Sequence, residues 1–513
     1  MAKQEAGSAA LEAVSENGAQ WAAAQESGAG ERAASSETGA PPPVHPVRGF
    51  AALLLVLGAT ALMNGSIFPQ FDAVFMFARD ISVTCSAATL LTLGLLAYRA
   101  PAVLRRRAIV VGAATCLVFG GALLAAGLAF ASPAPLVLGA CVVAIGRAAV
   151  TVTTSLYLAR LSSHQAAVAI AVAYTLQLAA SPTCAFLPPS LGVVLFLAFP
   201  LAALALTAAG GGFFFDTVRG RPSPSDMSVT RPASFLAPFS TLFGCLFLFQ
   251  VAFGFALRFG EVAGTPRMSL FSAAPLAVVA IYVALSRRRF PADGVVQLSA
   301  LVVMAGFLLS AQPLLIIGGK AADVALLNAG NGLFAMAAQM ALVAIAARNP
   351  LGAVTTVAWG NGVSALGSLT GAAAGMIANG AAAGNPSLRV AIPAVLLLVF
   401  AAYVLVGLKR FTFTGAIDGI EPVNVPDAGT SAASGATLAP EEAFTARCEA
   451  IASEFFLTPR EAEVFAMLAR GRDRAYIEEA LVVSRNTVKA HVKHVYAKLG
   501  IHSHQELIDL VEG

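Results

Sequence analysis

The sequence has few charged residues. Only 12% of its 513 residues are Asp, Glu, Lys or Arg, whereas 58% are hydrophobic, and the mean hydropathy is +0.77. Soluble domains usually have about a quarter of their residues charged, so this composition excludes a chain made only of soluble domains. The net charge of +4 is small, and the positions of the charges say more than their sum. The composition predicts a polytopic membrane protein.

Residue patterns that hold metals, disulfides or catalytic groups are also missing. The six cysteines stand singly without a Cys-x-x-Cys spacing, so neither a metal site nor a disulfide framework is predicted. No Ser-His-Asp arrangement or phosphate-binding loop is found. Four histidines have spacings seen in metal sites: His491, His494, His502 and His504. They lie in or beside a helix predicted below, whose pattern explains them better than a metal site does. We therefore expect no enzyme, no cofactor and no bound metal.

The first 47 residues have few bulky apolar side chains. They are rich in Ala, Glu, Gly and Ser and end in a run of prolines at 41–43, which predicts a disordered cytoplasmic tail over residues 1–47. The start of the chain does not have the pattern of a secretory signal. The first apolar helix, beginning near Arg48, is therefore expected to be a retained anchor.

Residues 48–410 are predicted to form a transmembrane domain of about twelve helices. Each apolar segment is long enough to span a bilayer. The segments are 49–69, 81–98, 108–131, 134–158, 165–187, 191–215, 235–257, 268–286, 294–318, 321–346, 351–379 and 388–408.

Basic residues are distributed unevenly between the two sets of loops. The loops that follow even-numbered segments carry twelve Lys or Arg residues, and those that follow odd-numbered segments carry five. Because positive charge favours the cytoplasmic side, the even loops and both termini are predicted to be cytoplasmic. The expected location is therefore a cell membrane, with lipid as a partner.

The membrane segments show a six-plus-six arrangement. Arginine triplets at 105–107 and 287–289 follow segments two and eight, and the longest polar loop, 218–232, separates segments six and seven. This arrangement resembles the major facilitator superfamily, which implies two related halves. The acidic residue of that family's loop motif is missing around 94–107. No carboxylate lies clearly in the middle of a span, and both absences disfavour proton-coupled transport.

Polar residues inside the spans mark a candidate ligand cavity, because such residues are costly in a membrane. Arg147 is the foremost of them, and Asn328 and Asn331 share one face of segment ten. Trp359 and Asn361 lie together in segment eleven. The alternative is that these side chains only make hydrogen bonds between helices.

The carboxyl-terminal 73 residues, 441–513, have a soluble pattern and follow a predicted flexible linker over residues 411–440. Thr458, Pro459 and Glu461 predict a helix start with a capping box. A short second helix includes Ile477 and Leu481. Ser484 is then expected to cap a third helix that ends near Leu499.

The third helix has two faces. Val488, Val492, Val495 and Leu499 recur at helical spacing and predict a buried spine. Arg485, Lys489 and Lys493 lie on another face, Lys498 adds charge near the end, and no acidic residue occurs from 484 to 500. A helix, a tight turn and a cationic helix are typical of a helix-turn-helix, whose second helix enters the major groove of DNA.

At these residues the chain resembles the LuxR-type (GerE-type) DNA-binding domain of bacterial regulators. The matching positions are Leu457 to Glu461, Gly471, Ile477, Leu481, Ser484, Thr487 to Lys489, His491 and Lys498 to Gly500. The resemblance implies that Lys489, Ala490 and Lys493 face base edges and that Thr487 contacts a phosphate. Arg485, Asn486 and His491 complete the predicted DNA-binding set. The resemblance also implies a fourth helix, from Ser503 to about Val511, that pairs two copies of the domain through Leu507 and Val511.

The expected fold is all-α, a transmembrane bundle followed by a small four-helix DNA-binding domain. The leading hypothesis is a membrane-bound transcription regulator that binds promoter DNA as a homodimer and senses a small molecule through its membrane helices. The alternative is a transporter of the major facilitator type with a regulatory DNA-binding tail.

Overall fold

A computed structural model gives the fold. It describes residues 44–219, 223–225, 227, 234–237, 240–259, 270–286, 292–311, 321–409, 411–423, 448, 451–452, 455, 457–469, 477–478, 481, 484–501 and 506–507. All regular secondary structure in this part of the chain is helical. The predicted amino-terminal tail lies almost wholly outside it.

The chain divides into two compact units, a membrane unit over Pro41–Val425 and a second unit that contains Pro426–Gly513. The helices of the membrane unit are α1 Pro46–Val74, α2 Ala78–Arg99, α3 Arg106–Ala129, α4 Pro133–Ala159, α5 Ser163–Ala180, α6 Pro189–Val218, α7 Thr241–Arg258, α8 Ala274–Leu285, α9 Ala292–Ala311, α10 Ala321–Arg348, α11 Ala353–Ala382, α12 Pro386–Ala402 and α13 Phe413–Asp418. The second unit contributes α14 Pro459–Ala469 and α15 Arg485–Leu499.

The predicted membrane segments correspond one to one with α1–α12. Within the described residues, ten helices are long and apolar enough to cross a membrane. The apolar helix Leu270–Leu285, which includes α8, is shorter. α11 is 30 residues long but carries recurrent Gly, Ser, Thr and Asn residues, which lower its hydropathy. The multi-pass helical fold is confirmed.

The helices pack as two groups of six. α3 packs on α4 and α1 on α6 in the first group, and α7 packs on α11 and α9 on α10 in the second. The groups meet where α2 packs against α11 and α5 against α8. Large apolar side chains such as Val111, Phe119 and Leu398 remain exposed on the outside, as expected for helices that face lipid.

The segment after the last span is docked rather than free at its start. α13 begins at a Thr412 cap, which accepts a hydrogen bond from Gly415 N at 2.9 Å, and the Phe413 side chain is 2% exposed. Asp293 at the start of α9 accepts hydrogen bonds from the Phe413 and Thr414 amides. The prediction of a flexible linker from residue 411 is therefore wrong for residues 411–423. The composition of this segment could not reveal the distant residues that hold it. Residues 424–440 lie outside the described part.

Candidate nucleic-acid interface

The start of α14 is fixed by two reciprocal hydrogen bonds. Thr458 N donates to Glu461 Oε2 at 2.8 Å, and Glu461 N donates to Thr458 Oγ1 at 3.4 Å. These bonds satisfy amides that have no partner inside the helix, so the predicted capping box is present. Val464, Phe465 and Leu468 of α14 are buried, as their spacing predicts.

Glu461 also joins α14 to the far end of α15. Its carboxylate accepts a hydrogen bond from Lys498 Nζ at 2.7 Å, and its side chain is only 7% exposed. The Lys498 ammonium, together with the Thr458 amide, lowers the pKa of Glu461 to about 2. His494 Nδ1 lies 3.7 Å from the other carboxylate oxygen. Lys498 therefore braces the scaffold, which differs from its expected role as an additional cation on the helix surface.

α15 is defined by caps at both ends and by a buried spine. Ser484 Oγ accepts a hydrogen bond from Thr487 N at 3.3 Å, and Gly500 takes a left-handed φ of 68°, which suits a helix end. Val488, Val492, Val495 and Leu499 are all buried against α14 and Ile477 in one apolar cluster. Arg460 Nη2 donates to the Leu481 carbonyl at 3.0 Å, which links α14 to Leu481.

The opposite face of α15 presents the predicted contact residues to solvent. Asn486, Thr487, Lys489, Ala490 and Lys493 are exposed, and His491 is half-buried. Lys489 and Lys493 are one helical turn apart, so both ammonium groups project from one side. Arg485 is the first residue of α15, and its side chain lies outside the described part. Exposed lysines on such a face can bind phosphates or the guanine edge in a major groove.

Residues 456–511 match the family model described as bacterial regulatory proteins, luxR family. Among relatives with similar sequence are an HTH-type transcriptional regulator of Mycobacterium bovis and the fimbriae Z protein of Salmonella typhimurium, each 43% identical over 53 residues. The oxygen regulatory protein NreC of Staphylococcus aureus is 42% identical over 53 residues. The carboxyl-terminal segment is a LuxR-family domain.

These matches cover 10% of this chain, and they cover 6%, 25% and 24% of the three relatives in the same order. The chain therefore spans a quarter or less of the length of the curated relatives it matches.

The membrane unit is similar to the human organic anion transporter MFSD10 (15% identity, TM-score 0.44, covering 69% of this chain and 97% of that one). It is also similar to FucP, a major facilitator superfamily transporter in the outward conformation (16% identity, TM-score 0.43, covering 72% and 99%).

Leu507, which the resemblance assigned to the contact between two paired domains, lies instead inside its own domain. Leu507 is fully buried in the apolar cluster of its own domain, so it is not exposed for a dimer contact. Its burial against the α14–α15 core could not be read from its spacing. Val511 and most of the predicted fourth helix lie outside the described residues, as do His502 and His504.

Arg147 lines a cavity of about 120 Å³ inside the first group of six membrane helices. Its guanidinium donates to Thr60 Oγ1 at 3.0 Å and to Met63 Sδ at 2.7 Å, and it lies 5.0 Å from the centre of the Phe196 ring. Arg147 thus lines a cavity, and its role in binding a ligand stays a prediction. A polar group in a small cavity can bind a small polar ligand or water.

The other predicted cavity residues do not line that space. Asn331 Oδ1 accepts from Gln250 Nε2 at 3.3 Å, and Asn361 Nδ2 donates to the Val357 carbonyl of its own helix at 2.9 Å. Trp359 Nε1 donates to the Leu91 carbonyl at 3.2 Å. Asn328 is buried in α10. For Asn331 and Trp359 these are hydrogen bonds between helices, the alternative that the sequence left open, whereas the Asn361 bond lies within α11.

A larger cavity, of about 540 Å³, was not predicted. It lies where α4, α8 and α10 end, and α13 forms part of its wall. The signal that could have indicated it is the Thr412 cap between two phenylalanines, Phe411 and Phe413, directly after the last span. That pattern indicates a short docked helix, but nothing in it identifies the helix ends on which it docks.

Proposed function

We propose that this chain is a membrane-bound transcription regulator that binds DNA through its LuxR-family domain. The observation that carries the proposal is the exposed face of α15, where Lys489, Ala490 and Lys493 lie opposite a fully buried apolar spine. These side chains are exposed rather than packed against the described residues of the domain. Its charge and its place on the second helix of a helix-turn-helix suit the major groove. The proposed function is not enzymatic.

The first prediction concerns the two exposed lysines. Lys489→Ala combined with Lys493→Ala should abolish site-specific DNA occupancy in cells, because two cationic groove contacts are lost. Genome-wide DNA crosslinking of the full-length protein measures this. A variant with Lys489→Arg and Lys493→Arg keeps both charges and should retain most peaks. Equal peaks in the alanine variant, with equal amounts in the membrane fraction, would refute the assignment.

The proposed arrangement has both termini and the even-numbered loops in the cytoplasm. It is supported by the excess of basic residues in those loops and by the even number of spans predicted from the sequence. Labelling of single introduced cysteines with an impermeant thiol reagent on intact cells tests it. Two copies are proposed to pair on DNA, as expected for a helix-turn-helix regulator, through a surface that does not include Leu507.

A second candidate function is transport, and the cavity around Arg147 favours it. In that case the LuxR-family domain would regulate genes connected with the transported molecule. Uptake or efflux by the full-length protein in proteoliposomes separates the two functions. Substrate movement abolished by Arg147→Leu would favour transport, whereas a changed reporter response without movement would favour a sensor.

A further inference from the structure

The cavity beside α13 has the size and wall of a ligand site. Its volume of about 540 Å³ falls within the range of small-molecule pockets, which is about 300 to 1,000 Å³. Much of its wall is apolar. Leu158 and Ile170 contribute from α4 and α5, Met340 and Ala344 from α10, and Ile417 from α13. It is distinct from the Arg147 cavity, since no residue lines both.

The charged side chains of this wall are paired with each other. Arg348 Nη2 lies 2.7 Å from Asp418 Oδ1, and Arg348 Nη1 donates to the Ile417 carbonyl at 2.7 Å. His164, the remaining titratable side chain besides Tyr282 in the wall, lies with Nε2 3.2 Å from the Ser286 carbonyl oxygen. A charged ligand would lose hydration here without gaining a free counter-charge. Ser163 and Thr414 offer hydroxyl groups to an uncharged one.

The same wall holds the segment that leads to the LuxR-family domain. Arg348, at the end of α10, also donates from Nη1 to the Ile420 carbonyl at 3.3 Å. Its backbone carbonyl accepts a hydrogen bond from the Val423 amide at 2.9 Å. Asp293 at the start of α9 holds the other end of α13. Thr414, Ile417 and Asp418, half of the six residues of α13, line the cavity. A molecule in the cavity therefore contacts α13 directly.

We propose that this cavity is a ligand site for an uncharged, largely apolar small molecule with hydroxyl or carbonyl groups, and that its occupation holds α13 on α9 and α10. In this way the membrane unit would control the segment that precedes the LuxR-family domain. That last step rests on the proposed function, whereas binding and the response of α13 do not.

The test uses a tethered probe, so that no natural ligand has to be known. Full-length protein with its six cysteines replaced by alanine carries Ala344→Cys and is reconstituted in lipid nanodiscs. It is treated with benzyl methanethiosulfonate, which is uncharged, and with the anionic sulfonatoethyl and cationic trimethylammonioethyl reagents. Ala102→Cys, exposed in the loop after α2, is the aqueous control, and Val111→Cys, exposed on α3, is the lipid-facing control.

Two outcomes are expected. The rate ratio of the uncharged to the charged reagents should be about tenfold higher at position 344 than at position 102, because the cavity opposes unpaired charge. The benzyl adduct at position 344 should slow deuterium uptake of residues 413–423 about threefold, because a filled cavity supports α13. The adducts at 102 and 111 should leave that uptake unchanged.

Equal rate ratios at 344 and 102, or unchanged uptake in residues 413–423 with the benzyl adduct in place, would overturn the proposal. This result does not depend on DNA. If the adduct protects α13 while the Lys489 and Lys493 substitutions leave DNA occupancy unchanged, the ligand site stands and the proposed regulator fails. If instead the lysine substitutions abolish DNA occupancy while the adduct leaves deuterium uptake of residues 413–423 unchanged, the proposed regulator stands and this cavity is not its ligand site.

Discussion

Lys493 and Lys498 lie on one helix, yet their side chains have different environments. Lys493 is exposed on the proposed DNA-binding face, whereas Lys498 donates to Glu461 at the start of α14. The difference arises because Lys498 is five positions further along and faces the preceding helix. At the residue scale, a single buried carboxylate, that of Glu461, therefore connects the beginning of α14 to the end of α15.

Acid should weaken this connection. The pKa of Glu461 lies at about 2 in the folded chain, below its value of about 4.3 in unfolded chains. Its stabilising effect is therefore complete above about pH 5 and is lost as the pH falls toward 2. Because Lys498 is partly exposed, we expect an effect of about 1–2 kcal/mol.

Cleavage of residues 459–499 in the full-length protein by a brief pulse of pepsin, between pH 2 and 5, measures the loss. Glu461→Gln should remove this pH dependence and increase cleavage near pH 5. Glu463→Gln is the control, since Glu463 is about half exposed and pairs with Arg460 within one turn of the same helix. Identical pH profiles for the natural protein and Glu461→Gln would contradict the role given to the carboxylate.

At the scale of elements, close approach of two membrane helices depends on glycine. A Cβ atom at Gly371 of α11 would lie 2.0 Å from the Val251 carbonyl oxygen of α7, and one at Gly254 would lie 2.0 Å from the Ser368 carbonyl oxygen. Gly367 meets the Phe247 carbonyl in the same way. Without side chains between them, the two backbones come into direct contact, which is the usual means of helix association in membranes.

Gly371→Val should therefore destabilise the membrane unit by about 1–3 kcal/mol, because the added side chain forces α7 and α11 apart. The thermal midpoint of full-length protein in detergent, followed by the loss of its monodisperse size-exclusion peak, measures the change. Gly380→Val on the same helix is the matched control, because no atom lies within 4 Å of a Cβ at that position. Equal midpoints for both variants would contradict the packing role of Gly371.

At the scale of the whole membrane unit, an ion pair connects the two groups of six helices. It lies at the end of the unit where the loops after odd-numbered segments are. Arg258 at the end of α7 donates to both Asp80 oxygens, at 2.9 and 3.1 Å, near the start of α2. Asn379 of α11 holds the Arg258 carbonyl through a 2.5 Å hydrogen bond. Both charged side chains are largely buried, at 14% and 25% exposure for Arg258 and Asp80. The pair therefore closes this end of the interface between the groups.

Removing either partner should leave a largely buried charge unpaired. Asp80→Asn and Arg258→Gln are each expected to lower the thermal midpoint, by the equivalent of about 1–3 kcal/mol. The exchange of charges, Asp80→Arg with Arg258→Asp, should recover part of the loss. Arg106→Gln serves as the control because its pair with Asp216, at 3.6 Å, is more exposed and lies inside the first group. A double variant no better than either single one would count against the pairing.

Much of the fold follows from neighbouring residues along the chain. The apolar segments, the capping box at Thr458 and Glu461, the Ser484 cap and the buried spine of α15 each depend on patterns that repeat within a few residues. A helix places such residues together wherever it forms. The sequence by itself therefore determined the multi-pass helical membrane region, the LuxR-family domain and the exposed position of Lys489 and Lys493.

Only the tertiary structure decided which distant residues meet. Glu461 and Lys498 are 37 positions apart, Arg348 and Asp418 are 70 apart, and Asp80 and Arg258 are 178 apart. Local periodicity carries no information about such pairs, because they form only after helices pack. For the same reason the sequence missed the docking of α13, the cavity beside it and the burial of Leu507. Of the residues in α10 and α11 predicted for a ligand cavity, Asn328 and Trp359 are buried and Asn331 and Asn361 are half-buried. None of them lines the cavity beside Arg147.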